Sequence, residues 1–419
     1  MISFPIILIA ISATISKHIT KTWLSPGAFF SICWAFFLIA PMIFASEYEI
    51  DIFGLWFISI FNMALVAGSI IAYHPYSYDK NGINNVLIEE NHKMVNSFFL
   101  IFTLIGFVGI CLLLQFASDI YISDYNVNWM AIPNLIAIDR YSDNVNYPTL
   151  IKYSLYFIYP ANLLGGILYG KGQQSKILNF FLFIPLFEAI LLGIIEGART
   201  SILLGLVLFI SAWLSTFIIR DFSNKPKRPY LKIIFILSVI LISFTFFFIL
   251  IQWLRQGMDT IIVDLLIDRI RAYFFGYLAA FSQWISSDHS IDIFGGLITF
   301  AGPFNFVGIM ERPLGFYESI SIGEGVSTNI FTAFRGLTID FTIPGSIILA
   351  FLIGFVFQFF FQKNSQIRLL NTLPLSIFYA FTLYSPLISI FHYNSILFSW
   401  FIVSIPLIFS KYEFVDYNS

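Results

Sequence analysis

Two ionisable side chains interrupt a long apolar stretch in the segment IIEGARTS, where Glu196 precedes Arg199 and Thr200. A helix that begins near Gly197 would gather these side chains on its first turn. Free backbone N–H groups and the positive end of the helix dipole attract an anion there. A local Glu–Arg pair, with Thr200 or Ser201 capping the helix, is the alternative interpretation.

A second group of ionisable residues lies in the segment DTIIVDLLIDRIRAYFFGYLAAF. Asp264, Asp268 and Arg271 recur there at helical spacing and form one polar stripe on an otherwise apolar helix. Arg269 points to another side of that helix. In this segment Asp268 is a candidate catalytic carboxylate, and Arg269 and Arg271 are candidate ligand-binding cations. An amphipathic interfacial helix with an internal salt bridge would have the same pattern.

The segment GEGVSTNIFTAFRGLTIDF carries the third group. Ser327 or Thr328 is predicted to cap a helix, which would place Thr328, Thr332 and Arg335 on one face. This segment directly precedes an apolar run, so its polar face needs a wet or protein-lined setting. Three further candidate ligand-binding residues flank that face: Glu324, Asn329 and Asp340.

A fourth group lies in the segment IPNLIAIDRYSDNVNYP, where Asp139 and Arg140 occur among Tyr and Asn residues. Side chains of these types suit the hydroxyl groups of sugars, and they are equally common in loops of any kind. Arg140 is therefore a candidate ligand-binding residue.

The elements that must hold these residues are apolar helices. The chain of 419 residues is 58% hydrophobic and 11% charged, whereas soluble domains have about 25% charged residues. Cys33 and Cys111 both lie in apolar runs, so neither a disulfide nor a metal motif is predicted. A net charge of −2 gives no basis for a nucleic-acid partner.

Apolar runs of near membrane length predict an all-α polytopic membrane protein with one integral membrane domain over residues 1–419. The first run has no basic leader and no small-residue cleavage site, so we expect a retained helix. Eleven spans are predicted, at residues 2–16, 27–45, 52–73, 95–117, 150–169, 177–195, 201–219, 231–253, 341–361, 371–388 and 393–410.

Basic residues in short loops predict the orientation, because cytoplasmic loops collect Lys and Arg. Fourteen of the 22 Lys and Arg residues fall in one set of loops. That set is predicted to be cytoplasmic, with the N-terminus periplasmic and the C-terminus cytoplasmic. The outer side then has two enlarged segments, residues 118–149 and 254–340. The longer one is predicted to pack on the membrane face.

Lys and Arg are distributed unequally between the two sides. The cytoplasmic loops hold eleven Lys and three Arg, whereas the outer side holds one Lys and seven Arg. Arg suits forked contacts with phosphate and carboxylate, and ion pairing alone would not exclude Lys. We therefore expect an outward-facing site for an anionic, phosphate-bearing ligand, with no metal. The outer Arg residues are Arg140, Arg199, Arg255, Arg269, Arg271, Arg312 and Arg335.

Two motifs and the layout of spans carry a resemblance to a known family. The motifs are EGARTS and STNIFTAFRGLTIDF, the latter leading into IPGSIILAFLIGFVFQ. With about eleven spans and two enlarged outer segments, the chain resembles the Wzy-type oligosaccharide repeat-unit polymerases, usually called O-antigen polymerases. Some members have an Arg followed eleven residues later by Gly, and Arg312 with Gly323 matches that pattern.

The resemblance implies a GT-C-like glycosyltransferase of lipopolysaccharide biosynthesis in the bacterial inner membrane. Its substrates would be oligosaccharides on undecaprenyl pyrophosphate. The growing glycan would move to the non-reducing end of a new lipid-linked unit, without a cofactor. A separate chain-length regulator would be a partner. Arg199 and Arg335 would stabilise the leaving pyrophosphate, and the candidates for the general base are Glu196, Asp268, Glu324 and Asp340.

Two other functions stay open on the sequence. An O-antigen ligase has a similar plan and the same donor, and it differs in the acceptor. A lipid-linked oligosaccharide flippase belongs to another class. Transporters usually place ionisable groups near the membrane midplane and often have two related halves. In this sequence the charged residues gather toward one face and no halves are evident, which favours the polymerase.

Overall fold

The protein divides into two units with separate helical cores. Unit 1 comprises Met1–Glu89, Ile267–Leu397 and Tyr412–Ser419, and unit 2 comprises Glu90–Leu266 and Phe398–Lys411. The computed structural model describes residues 3–74, 88–90, 93–123, 128–141, 147–172, 176–223, 245–255, 263–287, 294–311, 316–363, 369–410 and 412–414.

Helices form most of the described chain. In order they are α1 (Ser3–Thr20), α2 (Pro26–Phe44), α3 (Ile52–Ala72), α4 (Lys93–Ala117), α5 (Ile132–Tyr141), α6 (Thr149–Tyr156), α7 (Ile158–Lys171), α8 (Lys176–Phe181), α9 (Ile184–Ile195), α10 (Arg199–Ser223), α11 (Thr245–Arg255), α12 (Val263–Ser286), α13 (Ala301–Phe306), α14 (Ala333–Lys363), α15 (Thr372–Tyr384) and α16 (Asn394–Phe409). Four short strands pair β1 (Ile88–Glu90) with β4 (Tyr412–Phe414) and β2 (Ile320–Gly323) with β3 (Val326–Thr328).

Several of these helices are apolar enough to cross a membrane, which makes the chain an all-α polytopic membrane protein. Among the described residues, seven helices have the required length and composition. They are Ser3–Thr20, Pro26–Phe44, Ile52–Ala72, Met94–Ile122, Leu178–Ile195, Arg199–Phe217 and Ala333–Gln362. Their outward side chains include large apolar residues such as Phe36 and Ile348, as a lipid environment requires.

The other predicted spans differ from continuous long helices. The 150–169 run is divided at Phe157 into α6 and α7. The runs at 371–388 and 393–410 form the shorter helices α15 and α16. Of the 231–253 run, residues 231–244 lie outside the described chain and the remainder forms part of α11. The total of eleven membrane spans therefore stays a prediction.

Glycines bring α3 and α14 into close contact in unit 1. A Cβ atom on Gly68 would lie 2.0 Å from the Phe351 carbonyl oxygen, and one on Gly354 would lie 1.9 Å from that of Leu65. Small residues of this kind let the backbones of membrane helices approach closely. A hydrogen bond of 2.8 Å from the Ser69 hydroxyl to Gln358 Oε1 links the same two helices.

The β2–β3 hairpin of unit 1 replaces the helix that Ser327 or Thr328 was expected to cap. Its turn is formed by Glu324 and Gly325, and Gly325 has a positive φ of 72°. Ile322 is fully buried, in one cluster with α12 residues and Tyr48, and its carbonyl accepts the Glu49 N–H. The helix prediction was wrong because Ser and Thr suit strands as well as caps, and packing of Ile322 favours the strand.

α14 is broken near its start. Thr342 has φ 64° and ψ 173°, a conformation that β-branched residues rarely adopt, and Pro344 follows it. The break separates a short segment, residues 333–341, from the apolar segment 343–363. Arg335 lies on the short segment, so the membrane run that was predicted at 341–361 begins at the break.

Unit 2 is built in a similar way. A Cβ atom on Gly166 of α7 would lie 2.2 Å from the Phe209 carbonyl oxygen of α10. Gly106 and Gly109 of α4 approach Ile158 and Ser154 in the same manner. Glycine at these positions therefore sets how closely α4 can pack on α6 and α7, and α7 on α10.

Candidate functional site

Arg335 is enclosed by aromatic rings in unit 1. Its guanidinium carbon lies 4.0 Å from the ring centre of Phe331, 4.2 Å from that of Tyr317 and 5.0 Å from that of Trp284. Such contacts attract the cation to the negative ring faces and keep the planar fork in one orientation. We call Arg335 with these three rings the aromatic box.

Two of the three guanidinium nitrogens have no acceptor in the described part of the chain. Its Nε and Nη1 atoms are buried and have no hydrogen-bond partner. Buried N–H groups of a charged side chain are costly to leave unpaired. The aromatic box therefore has the properties of an anion-binding site.

Two hydroxyl groups beside the aromatic box are also unsatisfied. The Oγ1 atoms of Thr299 and Thr332 are buried and have no hydrogen-bond partner among the described residues. The hydroxyl oxygens of Tyr317 and Thr299 lie 3.4 and 3.5 Å from the position that a Gly336 Cβ would take. These are ordinary contact distances, so a Cβ atom at Gly336 would fill the space that glycine leaves beside these polar groups.

Phe334 fixes the direction of Arg335 by anchoring the start of α14. Its ring is fully buried and lies 4.6 Å from the ring centre of Trp34 and 4.7 Å from that of Phe61. The Ala333 N–H donates to the Ser385 carbonyl at 2.7 Å. Because these contacts hold the first turn of the helix, Arg335 is presented to the aromatic box.

The predicted cations of α12 lie in different environments. Arg271 donates to the Phe44 carbonyl through Nε and Nη2, at 3.2 and 2.9 Å, and pairs with Glu47 at 2.5 Å. It therefore anchors the end of α2, and its ion pair is not the one expected within α12. Asp268 and Arg269 are exposed. The side chain of Asp264, like Arg312, lies outside the described residues.

The residues predicted around a helix start at 327 or 328 are divided between the hairpin and the segment after it. Glu324 and Asn329 are exposed, whereas Thr328 is buried in β3 and accepts the Ile330 N–H at 3.2 Å. Thr332 immediately precedes α14. The prediction that Thr328, Thr332 and Arg335 share a helix face was therefore wrong, because the helix begins only at Ala333. The alternation in ISIGEGVST indicates the hairpin.

Asp340 holds the backbone of a neighbouring segment through its carboxylate. It is fully buried, and its carboxylate accepts the N–H groups of Ile298 at 3.0 Å and Thr299 at 2.5 Å. Both oxygens are thus engaged in holding the 294–300 segment. Asp340 thereby positions Thr299 beside the aromatic box, and its carboxylate is not available to a ligand.

In unit 2, Glu196 pairs with Arg140 at the end of α9. The distance from Arg140 Nη1 to Glu196 Oε2 is 3.5 Å, and the Glu196 side chain is 14% exposed. Burial raises the pKa of Glu196, and this effect exceeds the opposing effects of Arg140 and the neighbouring Tyr147 phenol. A carboxylate with a raised pKa is suited to accept and release a proton near neutral pH.

The IIEGARTS segment forms a tight turn, and Glu196 does not lie on the helix of Arg199. Glu196 ends α9, and Gly197, with φ 57°, follows it. The N–H groups of Gly197 and Ala198 donate to the carbonyls of Ile194 and Gly193, at 3.3 and 2.9 Å. This Schellman arrangement explains why the prediction of one shared helical turn was wrong.

Arg199 is the first residue of α10, and its guanidinium carbon lies 4.9 Å from the ring centre of the buried Phe248. A neighbouring pair on the same unit joins the Tyr121 hydroxyl to Asp139 at 2.6 Å. In unit 2, Glu196 therefore pairs with Arg140, which belongs to a different predicted group. The sequence analysis did not predict this pair.

Replacing Arg140 by Gln should raise the pKa of Glu196 further. Glu196 then stays protonated in the folded state over a wider pH range in which it is ionised in the unfolded state. The free energy of unfolding must fall as pH rises through that range. We expect the apparent midpoint of thermal unfolding to decline over a wider pH range, and by more in total, in Arg140→Gln than in the wild type.

Two variants calibrate this measurement. Glu196→Gln should remove the part of the pH dependence that Glu196 contributes, and Lys152→Gln, at an exposed position of α6, should leave the pH dependence unchanged. An Arg140→Gln protein whose pH dependence equals that of the wild type would contradict the role of Arg140.

Sequence reasoning missed Glu188. It lies in the middle of α9, within the candidate span Leu178–Ile195, and is 1% exposed. Both of its carboxylate oxygens are buried without a hydrogen-bond partner. The signal was available, since Glu188 is the one acidic residue inside the apolar run IPLFEAILLGII.

The sequence and the structure were compared with known protein families, curated proteins and solved structures. No protein-family model matches the sequence, and no curated protein or solved structure is detectably similar to it.

Proposed function

We propose that the protein is an O-antigen polymerase, a glycosyltransferase of lipopolysaccharide biosynthesis. In this proposal it transfers the growing glycan from undecaprenyl pyrophosphate to the non-reducing end of a lipid-linked repeat unit. The observation that carries the proposal is the aromatic box, in which Arg335 has two buried nitrogens without an acceptor. The motif resemblance, the distribution of Arg and the apolar helices support it.

The proposed reaction needs an anion site more than any other group. The bond between the anomeric carbon and the pyrophosphate oxygen breaks, and its electron pair leaves with the pyrophosphate. A hydroxyl oxygen of the acceptor sugar forms the new bond. Negative charge grows on the leaving pyrophosphate, and a preorganised guanidinium in a poorly hydrated site stabilises that charge without reorganisation.

The acceptor hydroxyl loses one proton in this reaction, and a carboxylate can take it. Of the four candidates, Asp340 is excluded because both of its oxygens accept backbone N–H groups. Asp268 and Glu324 are exposed. Glu196 has a raised pKa, and it belongs to unit 2 whereas Arg335 belongs to unit 1. We therefore assign no general base.

The proposal includes a location and partners. The chain would have eleven spans and a GT-C-like arrangement in the bacterial inner membrane, with a periplasmic N-terminus and a cytoplasmic C-terminus. The reaction would take place on the periplasmic side. Lipid-linked oligosaccharides would be the substrates, and a chain-length regulator would be a protein partner.

Deletion of the encoding gene tests the proposal. We expect lipopolysaccharide that carries single repeat units on the lipid A core and has lost its long chains, with recovery when the wild-type gene is returned. Loss of all surface glycan would contradict polymerisation, because a ligase or a flippase is needed for the first unit as well.

Transport of a lipid-linked oligosaccharide is a second candidate function, and Glu188 favours it. Ionisable residues inside membrane spans often mark transport pathways or proton relays. The sequence argument against a transporter relied on charges gathered toward one face, and Glu188 does not fit that description. The deletion experiment separates the two functions, since a transporter deletion removes the single-unit species as well.

A further inference from the structure

Glu188 is an unused ionisable group in the interior of unit 2. Burying an ionised carboxylate without a partner costs far more than burying the neutral acid, so such a group takes up a proton. Its two oxygens have no hydrogen-bond partner. In the part of the chain that the structure describes, Glu188 has no ion-pair partner.

The neighbouring helix leaves room for this carboxyl group. A Cβ atom on Gly106 of α4 would lie 2.8 Å from Glu188 Oε2 and 3.0 Å from the Ile158 side chain. Any larger residue at 106 would occupy the place of the carboxyl group. On this side, Glu188 therefore faces the backbone of Gly106, with the apolar side chain of Ile158 nearby.

A second unsatisfied polar group lies in the same helical interior. Asn162 of α7 is fully buried, and its Nδ2 atom donates to the carbonyls of Ile158 at 2.8 Å and Pro185 at 3.0 Å. These two bonds fix the amide, and its Oδ1 atom is left without a partner. Oδ1 is an acceptor, so Asn162 provides no charge that could stabilise an ionised Glu188.

In the part of the chain that the structure describes, the helices with extensive contacts to α9 are α4, α5, α7 and α10. Their charged residues are Lys93, Asp139, Arg140, Lys171, Arg199, Arg220 and Asp221, and their other titratable residues are Cys111, Tyr141, Tyr159 and Tyr169. The charged residues of α4, α7 and α10 lie in first or last turns. Lys93 is about 20 Å along α4 from Gly106, at 1.5 Å per residue. Arg140 pairs with Glu196, which lies about 12 Å along α9 from Glu188.

We propose that Glu188 is a proton-binding site in unit 2 that exchanges its proton with the solvent. The ligand is a single proton, and the neutral acid is the form that the interior accepts. Release of the proton would leave an uncompensated charge among α4, α7 and α9, so the protonation state of Glu188 must alter the packing of these helices. This inference does not depend on the proposed function.

Infrared difference spectroscopy tests the site directly. Spectra of wild-type protein in lipid vesicles are compared with those of Glu188→Gln across a range of pH, in choline chloride. We expect a carbonyl stretching band of a protonated carboxyl at low pH that is absent from Glu188→Gln and disappears as pH rises. Glu188→Met provides the same comparison if the Gln variant does not fold.

The outcomes are distinct. Glu196→Gln must retain the band, since otherwise the band belongs to Glu196 and the proposal fails. A band that persists unchanged at every pH would identify a structural acid that never exchanges. Its absence at every pH would identify an ionised carboxylate. Loss of the band on replacing choline by sodium at constant pH would assign the site to an alkali cation. Each of these last three results overturns the proton site.

Discussion

Replacing Arg335 by Lys should abolish long glycan chains, although the charge is kept. An ammonium group is a point charge that cannot lie flat between Phe331 and Tyr317 or donate a fork of hydrogen bonds. Removing one preorganised donor from an anionic transition state typically costs about 10²–10³-fold in rate. We expect a loss of at least that size, measured as polymer formed per unit of protein in membranes supplied with lipid-linked repeat units.

The same substitution elsewhere provides the control. Arg220→Lys changes an Arg that is predicted to be cytoplasmic, and it should leave polymer formation unchanged. Arg335→Ala should be as inactive as Arg335→Lys, with both proteins present in membranes at the wild-type amount. Full activity of Arg335→Lys would show that a forked contact is not required, and full activity of Arg335→Ala would remove Arg335 from the reaction.

Gly354→Val should strongly destabilise unit 1. Even the Cβ atom would lie 1.9 Å from the Leu65 carbonyl oxygen, so α3 and α14 must separate. Overpacking of this kind costs about 1–3 kcal/mol where small shifts relieve it, and backbone atoms cannot move aside as a side chain does. We expect the apparent midpoint of thermal unfolding in detergent to fall, with a similar fall in Gly68→Val.

Ile348→Ala is the control on the same helix. Its side chain is 63% exposed, and substitutions at such positions usually change stability by no more than about 0.5 kcal/mol. If Gly354→Val and Ile348→Ala had the same unfolding midpoint as the wild type, the close contact between α3 and α14 would be wrong.

The apolar helices could be predicted because the length of an apolar run encodes them directly. α2 and α3 begin and end within a residue of the predicted spans. The hairpin could not be predicted in the same way, because Ser and Thr serve both helix caps and strands. Burial of Ile322 decides between these states, and that burial depends on residues distant in the sequence.

The candidate site was predictable only in part. Arg335 was identified from its residue type and its place before a span. Its surroundings were not, because Trp284 and Tyr317 come from other segments and no spacing rule connects them to Arg335. The role of Asp340 could not be predicted either. Its carboxylate accepts backbone N–H groups, which every residue except proline has, so no residue type in the sequence indicates these partners.

The break at Thr342 has a consequence for how the protein responds to its membrane. A spanning helix adjusts its tilt when the thickness of the bilayer changes. Residues 343–363 can make that adjustment at Thr342, while the contacts of Phe334 with Trp34 and Phe61 hold residues 333–341 in place. We therefore expect Arg335 to keep its geometry in membranes of different lipid chain length.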